Sequence, residues 1–299
     1  MNLPVTSPIL RNTRKAMKDM MIDLTTGAGG PRIDYLNPPG DPGLYGPDSM
    51  VWKVHGDFPS MLAGGVSALL MQALHPLALA GVWDHSNFRE DILGRLRRTA
   101  NFVAGTTFAS KQDAEMLIDM VKRIHLNITG QTEDGRAYAA SDPALLTWVH
   151  VGEVYSFQRG FQTYNRRLTH AELDQYYRET ALVAEMLGAE NVPVSTTQVS
   201  EYFEAMRGEL VYSERSKAVF ALLLDAPAPA RGLNPAVGLF MRSGMDLLPH
   251  WAQQMMGLDR NQLTRRLTTR PIMKQAAKAL RWGQYDGAAV RARQRMAKG

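Results

Sequence analysis

The sequence predicts an all-α protein, a multi-helix domain, on three observations. From Phe58 onward apolar residues recur three and four positions apart, which is the period of one helix face. Several of these segments open on a capping residue, as Thr169 does with Glu172 three residues later. No segment of any length alternates apolar and polar residues as a half-buried strand would. We therefore expect helices and no sheet.

Helix limits follow from this period and from the capping residues. The predicted helices cover 58–83, 86–104, 111–129, 142–164, 169–188, 195–207 and 213–223, with others after 235 and over 260–280. Residues 29–48 are rich in Gly and Pro and predict an extended arm behind a short first helix. The expected division is an N-terminal helix and arm, 1–49, and a helical domain, 50–299, in which 235–299 could form a C-terminal extension.

The stretch 58–83 carries no charged residue and is the candidate for a membrane span. It contains the polar residues Ser60, Ser67 and Gln72 and a central His75-Pro76. Because polar groups and a proline interrupt it, burial at the centre of a helical protein is favoured over spanning. The N-terminus shows no secretory signal, so a cytoplasmic location is expected.

The composition of the chain excludes several kinds of functional site. The chain has no cysteine, which excludes disulfides, a thiolate nucleophile, cysteine-ligated zinc, iron–sulfur clusters and thiolate-ligated haem. The net charge of +5 is mild and would suit a membrane surface or acidic metabolites. Basic residues do not interleave with aromatic ones, so no nucleic-acid partner is expected.

Three successive predicted helices place a cation or an imidazole on an apolar face. His125 lies on the stripe of the helix over 111–129. Arg95 and Thr99, with Arg98 beside them, lie on that of 86–104, and His150 lies with Glu153 on that of 142–164. Burying such groups unpaired costs several kcal/mol each. A large anionic ligand in a shared pocket would satisfy them together.

Each residue also has a purely structural interpretation. His125 could be a core histidine bonded to a backbone carbonyl, and Glu153 a carboxylate that supports another site residue or is purely structural. Arg95 and Arg98 could pair with the nearby acids Glu90 and Asp91. Nothing in the local sequence singles out the remaining histidines His55, His170 and His250.

Four ordered motifs carry a family resemblance: LLMQALHPLALAGVWDHS, RLRRT, VKRIHLNITG and TWVHVGEV. Over about residues 50–225 they resemble the catalytic domain shared by latex-clearing rubber oxygenases and the fungal mycophenolate-pathway oxygenase. This resemblance implies a helical fold with a globin-like core around non-covalently bound haem b.

The resemblance also implies roles for individual residues. His125 corresponds to the axial iron ligand and His150 to a supporting histidine of the haem site. Arg95, Arg98 and Thr99 correspond to an Arg-x-x-Lys-Thr motif on the distal side. Arg98 replaces the lysine that can ligate iron there, and a guanidinium cannot. The sixth position should then be open, filled by water, or filled by His85. The glutamate proposed as a base in rubber cleavage has no counterpart just before this motif.

The leading hypothesis is a haem-dependent oxygenase that acts on a small hydrophobic, isoprenoid- or lipid-like substrate. It would use dioxygen or peroxide and could need an electron donor. Arg95 and Thr99 would polarise the oxidant, and Arg98 would pair with a haem propionate. Two alternatives stay open. One is a non-catalytic haem protein for electron transfer or sensing. The other is a haem-free protein that binds lipid at a membrane surface through a Met-rich core and the basic tail RARQRMAK.

Overall fold

The computed structural model describes residues 33–225, 234–284 and 286–298, so the predicted first helix lies outside the described residues. Within these ranges most of the chain is helical and very little of it is strand, which confirms the all-α class. The α-helices are α1 Met50–His55, α2 Phe58–Gln72, α3 Pro76–His85, α4 Ile92–Phe108, α5 Lys111–Leu126, α6 Pro143–Tyr164, α7 His170–Leu187, α8 Thr196–Met206, α9 Glu214–Leu224, α10 Asn234–Leu247, α11 His250–Met255, α12 Gln262–Gly283 and α13 Ala288–Met296.

One small hairpin interrupts the helices, so the expectation of no strand was wrong. Strands β1 Thr129–Gln131 and β2 Ala137–Ala139 pair antiparallel, with Gly130 opposite Tyr138. Each strand has three residues, too few for an alternating pattern to show in the sequence. The turn closes at Gly135, whose φ of +82° is accessible to glycine at little cost.

The predicted helix over 58–83 is two helices, α2 and α3, bent by 104°. Pro76 opens α3, and His75 before it takes an extended conformation, with φ −89° and ψ 116°. A proline lacks the N–H that would continue α2 and disfavours helical geometry in the residue before it. Among the described residues, no single helix has the length and apolarity to cross a membrane. The bent pair meets that test only when its halves are combined.

The start of one other predicted helix shifts by a few residues, and the start of another agrees with the prediction. The helix predicted over 86–104 begins at Ile92, because the Asp91 side chain caps it by accepting from the Gly94 N–H at 2.8 Å. The helix predicted to begin after Thr169 does so, and the capping box with Glu172 forms. Capping residues therefore located helix starts better than the hydrophobic period did.

The core is organised around α2 and α6, which pack along most of their lengths. Glycines allow this approach. A β-carbon at Gly160 would lie 2.6 Å from the Ser60 carbonyl oxygen. At the same interface Ser156 Oγ donates to Ser67 Oγ at 3.1 Å. Helix α10 covers the other side of α2, and α12 packs on α10. This arrangement fixes the face of α6 that carries His150 and Glu153.

Arginines of the C-terminal helices tie them to the body of the domain. Arg281 makes a two-pronged bond to buried Asp57, at 2.6 and 2.9 Å. Arg295 is fully buried and donates to the carbonyls of Asp41 at 2.8 Å and Ala109 at 3.2 Å. One arginine of the basic tail predicted to face a membrane therefore lies inside the protein instead.

Candidate ligand cavity

A cavity of about 920 Å³ lies between α2, α3, α4, α5 and α6, with α10 closing one side. It is near the upper end of the roughly 300–1,000 Å³ of ligand pockets, and most of its wall is apolar, as is usual for them. Every residue that the sequence analysis singled out for the site contributes to the wall: His85, Arg95, Arg98, Thr99, His125 and His150. The structure therefore brings together residues that are up to 65 positions apart.

His125 lies in the last turn of α5 and contributes to the cavity wall. Its Nδ1 is buried and has no hydrogen-bond partner among the described residues, so the interpretation as a carbonyl-bonded core histidine is not supported. Burial lowers its pKa, which keeps the ring neutral at pH 7. The predicted apolar stripe is buried at Leu117, but Ile124 is 50% exposed where it lines the cavity. A neutral imidazole with free lone-pair capacity thus faces an apolar space.

Arg95 and Arg98, one turn apart on α4, have different environments. Arg95 is removed from bulk solvent, and its contact in the described part of the chain is a long one, 3.4 Å from Nη2 to Gln72 Oε1. Burial, and then the charge of Arg98, lower the pKa of Arg95 to about 10. Arg98 is half-exposed and lies 3.9 Å from Asp91. Pairing with a nearby acid is therefore found for Arg98, whereas Arg95 has no carboxylate partner among the described residues.

His85 and Thr99 line the cavity at its solvent side, and both are exposed. The His85 Nε2 donates to the Thr129 carbonyl at 3.1 Å, since a carbonyl can only accept. Its ring stands edge-on to Tyr138 of the hairpin. This bond fixes the tautomer and leaves Nδ1 as the nitrogen with a free lone pair.

His55 is a cavity residue that the sequence analysis missed. Its Nδ1 lies 2.8 Å from Thr107 Oγ1 and its Nε2 lies 2.9 Å from the Tyr176 hydroxyl. Burial lowers its pKa to about 3, so the ring is neutral and both nitrogens are satisfied. The partners lie 52 and 121 positions away in the sequence, and no local spacing could have revealed them.

His150 and Glu153 are one turn apart on α6 and both face the cavity, as the helical period predicted. Neither side chain has a hydrogen-bond partner in the described part of the chain. Burial raises the pKa of Glu153 to about 7 and lowers that of His150 to about 4. No described cation pairs with Glu153, so its expected role as a supporting or structural carboxylate stays a prediction. Together they form a polar spot in an apolar wall.

The protein is an all-α domain that encloses a large apolar cavity. In the wall of this cavity lie the Arg95 guanidinium and two imidazoles, those of His125 and His150, that have no hydrogen-bond partner among the described residues. These features define a helical protein that can hold a ligand. The chain belongs to the family described as "ER-bound oxygenase mpaB/B'/Rubber oxygenase, catalytic domain", whose model matches residues 52–282. This confirms the resemblance and supports an oxygenase role, with a small-molecule substrate and oxygen as reactants. Neither the curated proteins nor the solved structures contain a match.

Proposed function

We propose that the protein is a haem b-dependent oxygenase that acts on a small hydrophobic substrate. The observation that carries this proposal is the cavity of about 920 Å³, which is lined by neutral His125 and by Arg95, an arginine with no carboxylate partner among the described residues. Family membership supports the oxygenase role. The apolar wall supports a hydrophobic substrate, because transfer of such a molecule from water into this space is favourable.

The residues present fit haem in two respects. No group of three or more His, Asp or Glu side chains among the described residues is placed to hold a metal ion, and His125 offers one imidazole. A single imidazole suits an iron that brings four ligands with it in a porphyrin. Haem is also anionic through its propionates, and the cavity wall offers Arg95, Arg98 and the partly buried Arg97, whose Nε has no hydrogen-bond partner in the described ranges.

Each side chain has a distinct part in this proposal. Haem, when bound, supplies the activation of dioxygen or peroxide. His125 would hold the iron through a ring nitrogen, and the surrounding apolar side chains would exclude water. Arg98 at the solvent side would pair with a propionate, while Arg95 from inside the cavity and Thr99 from its solvent side would donate hydrogen bonds to the oxidant. His85 keeps one nitrogen free, which leaves it able to act as a sixth ligand.

The absorption spectrum of the full chain, purified after expression with added haem precursor, tests the proposal. We expect a Soret band and a ferrous form that binds carbon monoxide. A spectrum without a Soret band would favour haem-free lipid binding, to which the same apolar cavity is suited. A six-coordinate low-spin spectrum that carbon monoxide does not change would instead favour electron transfer or sensing.

A further inference from the structure

The polar spot formed by His150 and Glu153 is isolated in the cavity wall. Both side chains are removed from bulk solvent, and the surface they still expose faces the cavity. His150 is near enough to His55, and Glu153 near enough to Tyr176, that a charge on the first residue of each pair would shift the pKa of the second. However, the His55 Nε2 and the Tyr176 hydroxyl are hydrogen-bonded to each other at 2.9 Å. Both ring nitrogens of His55 are thereby satisfied, whereas no described residue hydrogen-bonds to the side chain of His150 or Glu153.

Buried polar groups are rarely left without a partner, because each unmade hydrogen bond costs about 1–3 kcal/mol. His150 is neutral at pH 7, so one ring nitrogen is a donor and the other an acceptor. The Glu153 carboxyl accepts in either protonation state. One donor and one acceptor, a helical turn apart, are what a hydroxyl group needs, since it accepts one hydrogen bond and donates another.

We infer that the substrate is an apolar molecule that carries a hydroxyl group, which His150 and Glu153 bind at the wall of the cavity. The hydroxyl donates to the Glu153 carboxyl and accepts from the His150 ring N–H. The apolar remainder of the molecule lies along the rest of the wall. This gives His150 a contact with the substrate in place of the support of His125 that the resemblance implied. No described hydrogen bond joins the two histidines.

A neutral hydroxyl fits this spot better than a charged group. An amine would bind there as an ammonium and would need an ionised Glu153, whereas burial favours the neutral acid up to about pH 7. A carboxylate would meet the partly ionised Glu153 and be repelled. The arginines that would attract an anion lie on a different helix, α4.

A pair of isomers isolates this contact. 1-Octanol and heptyl methyl ether have the same atoms and nearly the same shape, but the ether oxygen cannot donate. Calorimetric titration of the full chain should give an affinity for octanol about fivefold or more above that for the ether, in keeping with one hydrogen bond. In Glu153→Leu this preference should fall below about twofold, and in Glu153→Gln, which keeps an acceptor, it should persist. Glu185→Leu, the same change on the exposed side of α7, is the control and should behave as wild type.

His150→Phe has a different expected effect. The imidazole donates to an oxygen that both ligands possess, so this variant should bind octanol and ether more weakly by the same factor. Equal affinities in the wild type, an unchanged preference in Glu153→Leu, or octylamine binding more tightly than octanol would each overturn the inference.

This inference rests on the proposed function, because it takes the hydroxyl to belong to the substrate of the same cavity. The two can nevertheless fail separately. The titrations need no bound haem and are run on the chain as purified and after addition of haemin. A Soret band without an alcohol preference would overturn the hydroxyl contact and leave the oxygenase proposal in place. An alcohol preference without a Soret band would do the reverse.

Discussion

Replacing Glu153 by Gln should stabilise the protein, and the gain should grow with pH. Burial raises the pKa of this carboxyl from its ordinary 4.5 to about 7, and the described residues supply no cation to offset that cost. Between these two values the folded protein holds a proton that the unfolded chain has released. The free energy of unfolding therefore falls as pH rises through this window, and above about pH 7 it is lowered by the full amount that the pKa shift implies.

The magnitude follows from the two pKa values. One pKa unit corresponds to about 1.36 kcal/mol, so the raised pKa lowers the free energy of unfolding by about 3 kcal/mol at pH 8, where Glu153 is ionised. At pH 5, where the folded protein still keeps the proton, it lowers this free energy by about 1 kcal/mol. Glutamine carries no charge and escapes this cost at every pH. The free energy of unfolding of Glu153→Gln should thus exceed that of the wild type by an amount that grows by about 2 kcal/mol between pH 5 and pH 8.

The assay is urea denaturation of both proteins at a series of pH values. His55 and His150 have lowered pKa values, about 3 and about 4, so they add stability that is lost as pH falls below about 6.5. Both proteins contain these histidines, and their effect cancels in the difference. Glu185→Gln, on an exposed position, should show no pH-dependent difference. If the difference between Glu153→Gln and wild type stays constant from pH 5 to pH 8, Glu153 is not the uncompensated buried acid described above.

Two further predictions concern packing and charge. Gly160→Ala should cost about 1–3 kcal/mol in urea unfolding, because its β-carbon would lie 2.6 Å from the Ser60 carbonyl oxygen. Gly65→Ala is the control, because a β-carbon at that position would meet nothing within 4 Å. This variant should gain up to about 1 kcal/mol in the free energy of unfolding. Equal effects at the two sites would contradict the close approach of α2 and α6. Arg95→Leu should raise the midpoint of thermal unfolding of the haem-free protein, since it removes a desolvated charge without a described carboxylate partner, and should weaken haemin binding. Arg98→Leu, at the half-exposed side, should shift that midpoint little, and a loss of stability in Arg95→Leu would indicate a partner for the charge.

The sequence predicted which residues form the site better than it predicted the partners of their side chains. The helical period correctly placed His150 with Glu153 on one face of α6 and His125 facing inward from α5. It could not show that Arg98 pairs with Asp91 while Arg95 does not, because this depends on side-chain direction around one helix. It also could not show that Glu153 has no cation beside it, since a partner could have come from any other element.

Errors in the fold have local physical causes. The apolar run over 58–83 looked continuous because hydrophobicity continues through the break, whereas Pro76 changes the backbone direction by 104°. The hairpin was missed because three-residue strands carry no period. His55 was passed over since its partners Thr107 and Tyr176 come from distant parts of the chain. Tertiary contacts of this kind have no signature in a local pattern.

The most direct test of the account is the haem content of His125→Ala, measured by pyridine haemochrome after reconstitution with haemin. His170→Ala, the same change at an exposed histidine, is the matched control. We expect equimolar haem in the wild type and in His170→Ala, and little or none in His125→Ala with its helical circular dichroism intact. Full haem content with an unchanged Soret spectrum in His125→Ala would contradict the assignment of His125 as the iron ligand.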